Sequence, residues 1–158
     1  MQLSQILAKA MVELDYCEKC RTFTETKICA ICSNELRDST LLCVVESSSD
    51  TWIIDQATSY KGKYFVLHGK LSPLDGIGPD QLGISQLEQQ MQAGGIKEII
   101  LATNSTVEGQ ATAHFIAELA GKFKVRATRI ASGIPMGGEL EFIDSNTVSH
   151  AFNGRKEL

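Results

Sequence analysis

The stretch IILATNSTVEGQATA, from Ile99 to Ala113, decides the fold. Its first four residues form a short apolar run, which is typical of a strand buried on both faces of a parallel sheet. The polar residues 103–106 end that run. A helical pattern follows, with four apolar side chains at a spacing of four and on one face: Val107, Ala111, Phe115 and Leu119. A strand, a turn and a helix in this order predict an α/β fold.

The turn places Asn104, Thr106 and Glu108 at the carboxyl end of the strand, where open α/β sheets collect ligands and catalytic groups. Its sequence resembles the Toprim core of topoisomerases and DnaG-type primases, in which this strand ends in Asp-x-Asp-x-x-Gly-Glu or similar. In those enzymes the acids hold magnesium ions. Here an amide and a hydroxyl occupy the two Asp positions, and neither supplies the anionic oxygens that magnesium prefers. We therefore expect a Toprim domain whose metal site has been lost.

The composition is that of a soluble globular protein, because 43% of the 158 residues are hydrophobic and 22% are charged. No apolar run approaches the ~20 residues that span a membrane. The N-terminus lacks the features of a signal peptide, so we predict a cytoplasmic protein without a membrane partner. The net charge of −4 argues against a whole-surface electrostatic grip on nucleic acid, although a local basic patch stays open.

Four of the five cysteines follow the spacing C-x2-C-x8-C-x2-C and are Cys17, Cys20, Cys29 and Cys32. Two CxxC pairs in close succession let four thiolates converge on one ion, which predicts one structural zinc, Zn(2+), per chain rather than a redox dithiol. The fifth, Cys43, lies in an apolar run and is expected to be a small buried hydrophobe.

Basic side chains cluster in and just after this cysteine module, at Lys19, Arg21, Lys27 and Arg37. One interpretation is that they offset the negative charge of a four-thiolate site. The other is that they contact DNA phosphates.

Apolar runs at 41–45, 63–67, 99–102 and 125–130 predict a mainly parallel, four-stranded sheet flanked by helices. Glu46 ends the first strand. It is either a solvated strand end or the equivalent of the Glu that acts as general acid or base at this place in Toprim enzymes. Asp144 is expected to cap a short last helix.

These patterns divide the chain into four parts. An N-terminal helix covers 1–14, a small four-cysteine zinc finger 15–36, a Toprim domain 40–133, and a C-terminal extension 134–158. In the extension, ELEFID at 139–144 faintly resembles a Walker B strand. No phosphate-binding loop of the form G-x-x-x-x-G-K-[ST] accompanies it, so an ATPase is not expected.

Longer stretches resemble the RecR family of bacterial recombination mediators. They are CEKCRTFT at 17–24, VVES at 44–47, LSPLDGIGPD at 71–80, LATNSTVEG at 101–109 and GGELE at 137–141. Family members normally begin with a helix-hairpin-helix module that contributes to DNA binding and to closing a ring of four subunits. This chain shows no such module, which predicts weaker DNA binding and ring closure. Gln110 also stands where the family more often has Glu.

The resemblance implies a non-catalytic mediator that acts with RecO, and in some lineages RecF, to load RecA onto single-stranded DNA at gaps. The implied partners are RecO, RecF, single-stranded or junction DNA, and further copies of the chain in a dimer or tetramer. Glu46, Asn104 and Glu108 would then lie near a protein-docking face instead of an active centre.

Two alternatives stay open. One is a Toprim nuclease or primase-like transferase that holds one metal ion with Glu46 and Glu108, although a two-metal clamp would lack ligands. The other is a free-standing zinc-ribbon DNA binder, in which residues 15–36 alone bind DNA with strong salt dependence.

Overall fold

A small antiparallel hairpin, β1 (Asp15–Tyr16) and β2 (Phe23–Thr24), precedes a four-stranded parallel sheet. The arrangement comes from a computed structural model, which describes residues 3–156 of the chain. The sheet has the spatial order β4-β3-β5-β6 and consists of β3 (Asp38–Val45), β4 (Gly62–Val66), β5 (Glu98–Ala102) and β6 (Arg126–Arg129). The predicted α/β class and parallel four-stranded sheet are therefore confirmed.

Helices flank this sheet and lie at both ends of the chain. They are α1 (Leu3–Glu13), α2 (Ala30–Ser33), α3 (Ser48–Ala57), α4 (Ile84–Gln92), α5 (Val107–Lys122) and α6 (Ser145–Asn153), with a 3-10 turn at Leu140–Phe142. Met1 and Gln2 of the predicted first helix lie outside the described residues. Among residues 3–156, no helix is both long and apolar enough to cross a membrane.

Apolar side chains cover both faces of the sheet because the carboxyl-terminal parts of its central strands are continuously apolar. On one face Ile99 packs with Leu87 of α4 and Ile116 of α5. On the other face Val45 belongs to a cluster that Ile54 of α3 packs against. The sheet is thus a buried middle layer, with α3 on one side and α4 and α5 on the other.

The strand register brings three loops to one edge of the sheet. Val45, the last residue of β3, pairs with Val66 of β4 and with Ala102 of β5. The residues that follow these strands therefore emerge side by side. Glu46 and Asn104 are among them, as the sequence predicts.

The buried face of α5 differs from the predicted one. Val107 is 83% exposed and Phe115 is 37% exposed, whereas Leu119 alone of the predicted stripe is buried. The face that packs on the sheet consists of Gly109, Thr112, Ala113, Ile116, Leu119 and Ala120. A spacing of four turns the helix by about 40° too far at each step, so Val107 and Leu119 lie about 120° apart.

The two ends of the chain expose much of their apolar surface. In α1 the apolar side chains are exposed, with Leu3 at 72% and Met11 at 85%. The C-terminal segment exposes Phe142 and Phe152 in the same way. Residues 139–144, whose sequence faintly resembles a Walker B strand, contain the 3-10 turn and pair with no strand.

Side chains cap the starts of α3 and α6, and the sequence predicts the cap at Asp144. The Ser47 hydroxyl accepts from the amide of Asp50, whose carboxylate accepts from the Ser47 amide in return, so the pair forms a capping box at α3. Asp144 caps α6 by accepting from the amide and hydroxyl of Thr147. Each cap satisfies an amide in the first turn of its helix that has no partner within the helix.

Candidate metal centre and sheet-edge site

Four buried cysteines converge beside the hairpin. The Sγ atoms of Cys17, Cys20, Cys29 and Cys32 all lie within 4.8 Å of one another. The first pair lies in the turn of the β1–β2 hairpin. The second pair lies at the short helix α2, with Cys29 as its N-cap and Cys32 within it. The predicted cluster therefore forms from two local turns that face each other.

The donor set fits one structural zinc ion, since four thiolates close a tetrahedral site. Backbone amides already point at the sulfurs, with the Cys29 amide 3.3 Å from Cys17 Sγ and the Cys32 amide 3.4 Å from Cys29 Sγ. Hydrogen bonds from the thiols of Cys20 and Cys32 hold the pKa of Cys29 far below its usual value. Zinc would replace the protons that these thiols share.

Cys43 takes no part in this cluster. Its side chain is buried in β3, and burial raises the pKa of its thiol to about 12. An inert, neutral thiol is what the apolar run around Cys43 predicts.

Arg21 joins the cysteine module to the sheet domain. Its guanidinium donates to the backbone carbonyls of Leu67, Leu82 and Gln81, and it lies 5.8 Å from the centre of the Phe65 ring. Burial lowers its pKa. Because each of these carbonyls belongs to the sheet domain, the guanidinium fixes the cysteine module to that domain.

Further side chains from the sheet domain donate to backbone carbonyls of the module. The Lys63 ammonium caps the end of α2 by donating to the carbonyls of Ile31, Cys32 and Asn34. From α4, Gln86 reaches the carbonyl of Glu18 and Gln90 that of Lys19, both at 2.6 Å. The module is thereby fastened to the sheet domain along both of its cysteine turns.

Aromatic rings complete this junction on the side of the sheet edge. His68 follows β4, and its ring nitrogen Nε2 contacts the Arg21 carbonyl. Its ring centre lies 4.6 Å from that of Tyr16 and 5.4 Å from that of Phe23. The β1–β2 hairpin therefore packs directly against the loop after β4, which borders the sheet-edge site.

Arg37 is also engaged within the protein. Its guanidinium donates to both carboxylate oxygens of Asp55, at 2.6 and 2.7 Å, and to the carbonyl of Gly62 at 3.1 Å. The hydrogen bond from Arg37 lowers the pKa of Asp55. By contrast, the side chains of Lys19 and Lys27 are exposed. The two arginines of the predicted basic cluster thus support the fold, and the two lysines are the ones that face solvent.

At the sheet edge, Asn104 holds the carboxylate of Glu46. The Asn104 backbone amide donates to Glu46 Oε1 at 2.9 Å, and its side-chain amide donates to Oε2 at 2.7 Å. Glu46 is only 9% exposed. Both of its oxygens therefore have fixed N–H partners, and Asn104 serves as a donor to Glu46 instead of as a second acceptor for a cation.

The other two members of the predicted turn have different roles. Thr106 is the N-cap of α5, since its hydroxyl accepts from the amide of Gly109 at 3.1 Å. Glu108 lies in the first turn of α5 with its carboxylate 3.5 Å from the Lys70 ammonium. Its own backbone amide and the charge of Lys70 lower the pKa of Glu108.

Two basic residues at this edge were missed by sequence reasoning. Lys70 lies in the loop after β4 and lines an open cavity of about 430 Å³ together with Glu46, Asn104 and His68. Arg129 ends β6 and donates to the backbone carbonyl of Asn104 at 3.2 Å. The available signal was positional, because Lys70 lies just after β4 and Arg129 is the last residue of β6, and both strands end at the same edge.

These contacts limit what the edge can do chemically. The Glu46 carboxylate accepts two N–H groups, the Glu108 carboxylate faces an ammonium, and the Asp50 carboxylate accepts from the Ser47 amide. Among residues 3–156, the cysteine cluster is the one group of three or more acidic, Cys or His side chains whose donor atoms converge. The edge offers a surface of alternating charge with its acidic oxygens already partnered.

Comparison with known families matches these parts in order. The profile of the RecR zinc finger domain with four cysteines matches residues 14–34, "Toprim domain" matches 40–131, and "RecR, C-terminal" matches 133–156. The Recombination protein RecR of Xylella fastidiosa strain Temecula1 is 53% identical over 157 residues, covering 99% of this chain and 79% of that protein. The chain belongs to the RecR family.

Other relatives give the same result. The Recombination protein RecR of Methylococcus capsulatus is 53% identical over the same coverage, and that of Xanthomonas campestris pv. campestris is 52% identical with 80% of its length covered. The predicted family, with its zinc finger and Toprim domain, is thus confirmed. Since the cysteine cluster coincides with the family's four-cysteine zinc finger, one zinc ion per chain is the cofactor of this domain.

Proposed function

We propose that the chain is a non-catalytic recombination mediator that acts with RecO, and in some lineages RecF, to load RecA onto single-stranded DNA at gaps. Membership of a family whose relatives are named recombination proteins supports a role in recombinational repair. The observation that carries the non-catalytic part is the pair of hydrogen bonds from Asn104 to Glu46. A carboxylate held in this way is suited to shaping a surface and is poorly placed to bind magnesium.

In this proposal the sheet edge is the docking face for RecO. Glu46, Asn104 and Glu108 contribute its acidic and amide groups, and Lys70 lies between them. Charge complementarity at such a face speeds association and selects the partner. The edge therefore keeps charged residues although it has lost its metal ligands.

The test is the affinity of the cognate RecO for charge-reversal variants, measured by calorimetry. Glu46→Lys combined with Glu108→Lys should weaken binding by at least about tenfold. Because Glu46 is buried, Glu108→Lys alone is measured as well, and thermal melting checks that each variant is folded. Glu118→Lys is the matched control, since Glu118 is an exposed residue of the same helix. Unchanged binding of the double variant would refute the docking role.

We propose that the DNA contacts of this chain come from Lys19 and Lys27, the exposed lysines of the zinc finger. The substrate in this role is single-stranded or junction DNA. Binding that weakens with salt, and weakens further in a Lys19→Ala, Lys27→Ala double variant, would support this. Incubation of the chain with the same DNA and magnesium or manganese tests the enzymatic alternative. DNA turnover that disappears in Glu46→Gln would show a catalytic Toprim site.

We also propose that copies of the chain associate as a dimer or tetramer in the cytoplasm. The exposed apolar side chains of α1 and the exposed rings of Phe142 and Phe152 support this, since they offer apolar area that an interface between copies would bury. Light scattering of the parent and of a Phe152→Asp variant tests it. The mass should fall in the variant.

A further inference from the structure

The loop of residues 71–80, LSPLDGIGPD, forms a rigid turn that takes no part in the cysteine cluster or in the Asn104–Glu46 pair. Ser72 and Ile77 pair across its base with amide-to-carbonyl distances of 3.0 and 2.9 Å. The Ser72 hydroxyl donates to Asp75 at 2.6 Å, and Gly76 takes the positive φ of +69° that the turn requires. The loop is therefore pre-organised as a compact projection.

An apolar side chain stands at the tip of this projection. Leu74 is 100% exposed, although it lies between the ordered residues Ser72 and Asp75. A leucine fixed in water contributes nothing to the stability of the chain by itself. Held on a rigid turn, it can enter a partner's pocket at little entropic cost.

The projection belongs to the same edge as the proposed docking face. It follows β4 and begins one residue after Lys70. Its base is fixed to α5, because the Leu71 amide donates to the Thr112 hydroxyl at 2.9 Å and that hydroxyl donates to the Glu108 carbonyl at 2.7 Å. A partner seated on Glu108 and Lys70 is thus next to the loop.

Charge decides between a protein and a nucleic acid as the occupant. Residues 71–80 carry Asp75 and Asp80 and no basic side chain. Both aspartates are exposed. Such a tip repels phosphates and complements an apolar pocket rimmed by Lys or Arg.

We propose that Leu74 is an anchor residue for a protein partner, inserting into an apolar pocket with a basic rim on the protein that docks at the sheet edge. The inference rests on the proposed docking function and adds to it the residue that carries much of the affinity. A few anchor residues at the centre of an interface typically carry most of its binding energy, as their truncation to alanine shows.

The experiment measures binding of the cognate RecO to four single variants by calorimetry. Leu74→Ala should weaken binding by at least about tenfold and Leu74→Asp further, while Leu74→Met should stay close to the parent. Leu36→Ala is the matched control, because Leu36 is a 93% exposed leucine outside the edge. Melting temperatures should not change, since Leu74 is not buried.

The outcomes separate this inference from the function on which it rests. If Leu74→Ala binds RecO like the parent while Glu108→Lys does not, the anchor is wrong and the docking face stands. If the parent itself does not bind RecO, both are wrong. A Leu74→Ala variant that loses junction-DNA binding or self-association, with RecO binding intact, also overturns the inference.

Discussion

Asn104 donates two hydrogen bonds to the Glu46 carboxylate, from its backbone amide at 2.9 Å and from its side-chain amide at 2.7 Å. A carboxylate in place of the side-chain amide would face Glu46 with an acceptor and a like charge. The asparagine at position 104 therefore gives both Glu46 oxygens an N–H donor, where an aspartate would repel one of them.

The first prediction follows from this pair. Asn104→Asp should lower the free energy of unfolding by about 2–4 kcal/mol at pH 7, because one charge-assisted hydrogen bond is lost and two carboxylates adjoin. Magnesium or manganese should restore part of the loss by binding between them. Urea unfolding with and without the ion measures both effects. Asn146→Asp, at an exposed position of α6, should show neither.

The second prediction concerns the zinc finger. Cys29→Ser should lower zinc content and thermal stability together, since site formation and folding are coupled. Mass spectrometry of the metal and differential scanning calorimetry measure the two quantities. Cys43→Ala is the control, because Cys43 lies outside the cluster and should leave zinc content unchanged. Full stability of Cys29→Ser without metal would show that the cysteines have another role.

The zinc finger and the strands were predictable because their signals are local. Cysteine spacing determines which thiolates can converge, and short apolar runs bounded by polar residues mark buried strands. The caps at Ser47 and Asp144 are equally local, since a cap depends on residues three positions away. Each of these features is complete within a few residues of sequence.

The remaining features depend on contacts between distant parts of the chain. Arg21 reads as a basic residue beside a thiolate site, but its partners lie 46 to 61 positions further along. Lys70 and Arg129 reach the sheet edge only because parallel strands bring their carboxyl ends together. The buried face of α5 depends on which small residues let the helix approach the sheet, and apolar spacing alone missed it. The division into domains and the roles assigned to the edge residues stay predictions.

The third prediction concerns the ion pair of Arg37 and Asp55, whose side chains are 10% and 27% exposed. Arg37→Met should lower the free energy of unfolding by about 1–3 kcal/mol at pH 7, because charged hydrogen bonds in a partly buried place are lost. Arg37 lowers the pKa of Asp55, so this contribution is complete above the unfolded pKa of about 3.9 and disappears as pH falls through the folded value.

Urea unfolding at pH 7, 5 and 3.5 checks the pH dependence. The difference between Arg37→Met and the parent should be equal at the two higher values and smaller at pH 3.5. Arg126→Met is the control, since the Arg126 side chain is 71% exposed in its pair with Glu98 and should cost less than about 1 kcal/mol. A difference that grows towards low pH would contradict the assignment.

The fourth prediction tests why glycine occupies position 109. A Cβ at Gly109 would collide with the Asn104 carbonyl oxygen and lie 2.9 Å from Glu46 Oε1, so Gly109→Ala must displace the Asn104–Glu46 pair or the start of α5. We expect a loss of about 2–4 kcal/mol, as for overpacked cores and broken hydrogen-bond networks. RecO binding should weaken in the same variant if the pair shapes the docking face.

Gly121 in the same helix provides the matched control. A Cβ there meets nothing within 4 Å, so Gly121→Ala should raise the free energy of unfolding by up to about 1 kcal/mol through helix propensity. A lower free energy of unfolding in Gly109→Ala and a higher one in Gly121→Ala would separate close packing at the sheet edge from the general preference of helices for alanine. If Gly109→Ala also raised the free energy of unfolding, the Asn104–Glu46 pair would tolerate displacement and would not determine the shape of the edge.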